Sequence, residues 1–116
     1  MPLIRVETNQ ALPSPQKLLP ALSRAVAELI GKPEQYVQAI VHQGKEDVRM
    51  LHGGAEGPAA FVEVRSIGGL SAKVNRALSE KICALLAEQQ ISADRVYLNF
   101  IDVPATHWGH DGATFG

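Results

Sequence analysis

The chain repeats itself, and no other feature narrows its possible folds so far. Shifted by 60 residues, Ile4 falls on Val64, Leu18 on Leu78, Leu22 on Ile82 and Val26 on Leu86. Farther along, Tyr36 falls on Val96 and Ile40 on Phe100. The segment SPQKLLPALSRAVAELIGK reads as a helix: Leu18, Leu22, Val26, Leu29 and Ile30 recur at helical spacing. Ser14 stands at the N-cap, Pro15 at the first helical position and Gly31 just past the end. A second helix runs through GLSAKVNRALSEKICALLAEQQ, with Leu70, Val74, Ala77, Leu78, Ile82, Leu85 and Leu86 along one side. Around them lie four segments rich in β-branched and aromatic residues, LIRVET, YVQAIVHQ, AAFVEVRSI and RVYLNFIDV. VRMLH, followed by Gly53 and Gly54, suggests a further short strand and turn.

Each half therefore reads strand, helix, strand. Two such βαβ units, each with parallel strands and a right-handed crossover, join into one four-stranded mixed sheet with both helices on one face. The expected class is α/β (α+β), as a single domain over residues 1–116. The arrangement leaves a sheet face bare, although VYLNF and YVQAIV carry apolar side chains in both directions. Self-association through that face or the sheet edges covers it most economically, which predicts a cyclic homo-oligomer.

Composition excludes several classes. Of the 116 residues, 46% are hydrophobic and 20% charged, with a net charge of −1, which is a globular balance without a basic stripe for nucleic acid. No apolar run is long enough to cross a membrane. MPLIRVETNQ turns polar too early for a secretory leader, and the single Cys83 suits a reducing compartment, so a cytoplasmic location is expected. Cys83 flanks the apolar stripe of the second helix and reads as a packing residue.

Most motif-like stretches carry no chemistry. IGGLSA lacks the GxGxxG spacing, and Gly31–Lys32 follows a helix where a phosphate loop must precede one. His107 and His110 in HWGH have no companion ligand set at a recognised metal spacing. The two helix-to-strand junctions offer more. GKPEQY supplies Lys32 and Tyr36; DRVYLNF supplies Tyr97 and Asn99, which share one sheet face by parity. A cation, a phenol and an amide can recognise a small carboxylated or phenolic ligand. Pro2 has two readings. It starts a strand that needs no donor there, or, with Met1 trimmed, it presents a secondary amine that modest burial makes a neutral base.

Along essentially its whole length the sequence resembles the macrophage migration inhibitory factor family of the tautomerase superfamily. The resemblance rests on Pro2 directly after Met1, TN at Thr8–Asn9, GKPEQY, SIGG at Ser66–Gly69, NR at Asn75–Arg76, DRVYLNF, and TF at Thr114–Phe115. It implies a homotrimer with sheets inside, helices outside, and keto–enol tautomerase sites between subunits, acting on small keto acids such as phenylpyruvate without metal or organic cofactor. Carried across by motif, Pro2 would be the base. Lys32 and the N–H of Ile67 would hold the substrate's oxygens, Tyr36 and Phe115 would line the pocket, and Tyr97 and Asn99 would come from a neighbouring subunit. The family's Cys-x-x-Cys segment corresponds to AAFV here, so thiol–disulfide chemistry is not expected. Near the C-terminus, HWGHD displaces Trp108 and sets His110 where the family often has the aromatic. The resemblance also permits a cytokine-like ligand with a silent pocket and leaderless secretion, although no receptor-binding surface is identifiable. The repeated βαβ units alone would equally suit a ferredoxin-like small-molecule sensor.

Overall fold

The computed structural model describes residues 1–44 and 49–116. Strand β1 (Pro2–Thr8), helix α1 (Pro15–Ile30) and strand β2 (Gln38–His42) form the first unit. Strand β3 (Ala60–Ser66), helix α2 (Ala72–Glu88) and strand β4 (Val96–Asp102) form the second. A small hairpin, β5 (Gly109–His110) and β6 (Ala113–Thr114), follows. The sheet order is β2-β1-β3-β4, parallel within each unit and antiparallel where β1 meets β3. Both helices pack on one face, as expected. Position 48 of VRMLH lies outside the described residues; the rest makes no strand, only an isolated bridge from His52 to Ala55 around Gly53–Gly54.

Alternation along the strands decides what is buried. Ile4 and Val6 of β1, and Val62 and Val64 of β3, are fully buried against Leu18, Leu22, Val26, Leu78, Ile82 and Leu86 of the helices. Each such aliphatic side chain withdrawn from water contributes about 1.5–3 kcal/mol before chain entropy is counted. Ile4 and Val64, equivalent residues in the repeat, face each other across the central antiparallel pair.

Beyond the helices the offset shrinks. Val37 and Val96 occupy the same place, each closing a single turn of 3-10 helix (Glu34–Tyr36 and Ala93–Arg95), so there the shift is 59 residues. The expected matches Tyr36–Val96 and Ile40–Phe100 are therefore each one residue out. In a strand a slip of one residue exchanges faces. Ile40 in fact lies on the open face, 38% exposed, while Phe100 packs against the core beside Leu98.

Ser14 sits at the α1 N-cap, but its hydroxyl does not cap the helix. The buried side-chain amide of Gln89, at the end of α2, clasps it instead. Ser14 N–H donates to Gln89 Oε1 at 2.8 Å, and Gln89 Nε2 donates to Ser14 O at 3.0 Å. Gln89→Ala should lower unfolding stability by about 1–3 kcal/mol, since it leaves the Ser14 N–H without its partner, while the Ser14 carbonyl keeps its bonds from Lys17 and Leu18 N–H; urea denaturation measures it, and a loss within error would show that water replaces the clasp. Ser71 does cap α2, accepting from Val74 N–H at 3.1 Å.

The open sheet face is not uniformly apolar. Ile40, Phe61 and Tyr97 are exposed there, around a charged centre on β1 and β3. Glu63, only 8% exposed, accepts from Arg65 Nη2 at 2.6 Å and from Arg5 Nη2 at 3.2 Å. Bonding to Arg65 holds the Glu63 carboxyl below its ordinary range, against the opposing effect of burial, with Arg5 assisting.

Candidate active site

Pro2, Tyr36, Trp108 and His110 line one cleft of about 500 Å³, with Met1, Gln35, Val37, Gln38 and Gly109. Pro2 is buried and starts β1, paired with Ser66 at the end of β3. Lys32 follows Gly31, whose φ of +78° turns the chain out of α1. Its ammonium donates to the Ile67 carbonyl at 3.2 Å, leaving the Ile67 N–H outside that bond. Three contacts shape this loop. Ser66 Oγ donates to Gly68 O at 2.6 Å, and Asp102 Oδ1 accepts from Gly68 N–H at 3.0 Å. Gly69, at φ +81°, lies so close to α1 that a Cβ would come within 2.7 Å of Ile30 Cγ2. Two glycines thus bring the Ile67 loop against the end of α1.

The electrostatics at this corner favour a neutral amine. The terminal amine on Met1 has its pKa lowered, first by burial and then by the charge on Lys32. With Met1 attached, the Pro2 nitrogen is an amide; with Met1 gone, the free amine moves one residue inward toward the same influences.

Not every expected residue converges. Pro2 pairs with Ser66, and Ser66 with Asp102, so Tyr97 stands five residues back along β4 and Asn99 three. At roughly 3.4 Å per residue these are displacements of about 17 and 10 Å, before the width of two strands is added. Both also lie on the open face. Within one chain neither reaches Pro2. Tyr97 is 70% exposed and packs on His52 with ring centroids 4.6 Å apart, a neighbour from the β2–β3 connection that periodicity cannot reveal. Phe115 stacks on His110, with centroids 6.0 Å apart and planes 6° from parallel.

Trp108 is displaced along the chain yet still lines the cleft, alongside His110. The hairpin carrying His110 turns through Asp111 (φ +51°) and Gly112 (φ +79°), an Asp-Gly turn whose signal is legible in the sequence. A slightly larger hollow of about 570 Å³, lined by Asn9, Gln10, Arg49, Met50, Leu51, Glu56 and Gly57, holds no candidate neutral base. Cys83 is half-buried, and burial pushes its thiol pKa up, away from the thiolate needed for reactivity. Among the described residues no three His, Cys, Asp or Glu side chains gather as a metal site, and no helix is long and apolar enough to cross a membrane.

Residues 1–116 match the family described as Macrophage migration inhibitory factor (MIF). The chain is 38% identical over 117 residues to the macrophage migration inhibitory factor of Meriones unguiculatus, covering 99% of each. It is 37% identical over 118 residues to a homolog from Brugia malayi, covering 100% of each. Among solved structures, the homologue from Prochlorococcus marinus superposes with a TM-score of 0.90 at 40% identity, over 98% of this chain and 99% of that one.

Proposed function

Since this chain belongs to the macrophage migration inhibitory factor family, we propose that it is a keto–enol tautomerase of phenylpyruvate-type acids. Its base is Pro2, freed by removal of Met1, and it works as a homotrimer with sites between subunits. The observation that carries this reading is the cleft that Pro2 shares with Tyr36, Trp108 and His110, at a corner where burial and the Lys32 charge lower the pKa of the Met1 amine.

In the forward direction the neutral Pro2 nitrogen takes a proton from the carbon next to the keto group. The C–H electron pair becomes the C=C bond, and the carbonyl π pair moves onto oxygen. The proton then passes to that oxygen, and Pro2 is neutral again. One base with a pKa near neutrality serves both transfers. Lys32 and the Ile67 N–H stabilise the negative oxygen and the carboxylate. Tyr36 and Phe115 border the ring, and the chemistry asks for no metal or organic cofactor. The distance of Tyr97 and Asn99 from Pro2 along the sheet supports their coming from a neighbouring subunit.

The pH dependence tests the base. A neutral amine is the active form, so kcat/KM should rise with pH through the Pro2 pKa and level off above it. If the free Pro2 amine meets the burial and Lys32 charge that lower the Met1 amine, the midpoint falls below the ordinary α-amine value of about 8. A flat profile, or a midpoint at or above that value, would remove Pro2 from the role. A protein ligand with a silent pocket is the competing reading, and it predicts no turnover at any pH.

A further inference from the structure

We propose that His110 is a specificity-determining residue of the Pro2 cleft, selecting 2-keto acids that end in a phenol over those that end in a bare phenyl ring. The inference rests on the tautomerase reading above and concerns the far end of the substrate. It starts from what lines the cleft. Besides Pro2 and the terminal Met1, the wall is built from Gln35, Tyr36, Val37, Gln38, Trp108, Gly109 and His110, among the described residues. The aromatic rings supply flat apolar area. The amides, the phenol and the imidazole supply hydrogen-bonding groups. No carboxylate or guanidinium lines the wall.

His110 is the member whose chemistry differs most from an apolar rim. Its ring lies parallel to Phe115, 6.0 Å between centroids, so one partner fixes its orientation. It is exposed, which leaves its in-plane nitrogens open to a ligand. Its strand is two residues long and closed by a tight Asp-Gly turn, so the position is set by backbone pairing of Gly109 with Thr114 and His110 with Ala113. A bare phenyl end gains only contact area from such a wall and strips water from the imidazole. A phenol gains the same area and restores the hydrogen bond, because imidazole can give or take a proton in it. A second carboxylate meets no lysine or arginine side chain among the lining residues, with Glu34 and Asp111 close by in the chain, so a dicarboxylic acid fits less well.

Binding separates this inference from catalysis. Trp108, the only tryptophan, lines the same cleft, so its fluorescence reports ligand entry directly. The Met-free protein is titrated with phenylacetate and 4-hydroxyphenylacetate, with calorimetry as the second measure of affinity. Wild type should prefer the hydroxylated acid by about five-fold, the value of one neutral hydrogen bond. His110→Phe, which keeps the stack on Phe115, should bring the ratio to about one, whereas His110→Gln should keep most of it. A ratio that survives in His110→Phe overturns the proposal, as does a wild type without preference. So does loss of the ratio in Asn99→Ala with retention in His110→Phe, which assigns the phenol to the neighbour's amide. The kcat/KM ratio for 4-hydroxyphenylpyruvate over phenylpyruvate should move in parallel. If both acids bind but neither keto acid turns over, the tautomerase reading fails while the binding ratio still decides the role of His110.

Discussion

Protein that keeps Met1 should ketonise a phenylpyruvate-type enol about 10²- to 10⁴-fold more slowly than the Met-free chain, the range lost with a general base. Met1 does carry an amine of its own, with its pKa lowered by burial and Lys32. That amine nevertheless stands one residue out from the Pro2 nitrogen, a shift of about 3 Å along an extended chain. Misplacement by even about 1 Å can cost a hundredfold in rate. Pro2→Gly in the Met-free protein separates position from presence: an amine remains, but the ring that fixes its direction is gone. Its rate should fall between those of the two wild-type forms. Intact mass and sedimentation identify each species, and equal rates with and without Met1 would end the assignment of Pro2 as base.

The second large effect concerns the neighbouring subunit. Pro2→Gly and the double variant Tyr97→Ala/Asn99→Ala should each be poorly active alone. Refolded together from denaturant, they should regain activity, because a mixed trimer brings an intact Pro2 from one chain to an intact Tyr97 and Asn99 from another. Random mixing makes about one site in four complete in a closed ring of identical interfaces. The separation along β4 is what makes the test decisive. A site completed within one chain would recover nothing, since every chain in the mixture is defective. Absence of recovery in properly assembled mixed trimers would therefore overturn the sharing of each site between two subunits.

Much of the architecture is legible in the sequence. Helical stripes and strand alternation carry the two-unit architecture because both are local consequences of burying one face, and the αL residue after α1 announced itself as Gly31. The register of β2 against β4 was not readable by hydrophobicity, since Ile40 and Phe100 are alike in character and opposite in face. The clasp between Gln89 and Ser14 escaped for a different reason: it joins residues 75 apart through a side chain with no periodic signature. In the site, motif resemblance brought out Pro2, Lys32 and Tyr36, and proximity of Pro2 to Tyr36 is what the fold adds. His52 against Tyr97 is a purely tertiary meeting between a loop and a strand. The sequence shows Trp108 displaced, but only the pairing of β5 with β6 reveals that a displaced residue can share the cleft with its replacement.

Ile4 opposite Val64 has one more consequence. The approximate dyad through that pair gives every feature of the first unit a twin. Gly31, at φ +78°, is mirrored by Gln90 at φ +69°, and Lys32 by Ile91, which is wholly buried. Pro2, the first residue of β1, is mirrored by Val62 within β3, whose nitrogen belongs to an ordinary internal peptide. Duplication of a scaffold can copy a strand, a helix or a bend, but a polypeptide has a single beginning. A reaction that needs a free terminal nitrogen can therefore occupy only one of two look-alike corners, and the other is left to specialise as hydrophobic filling.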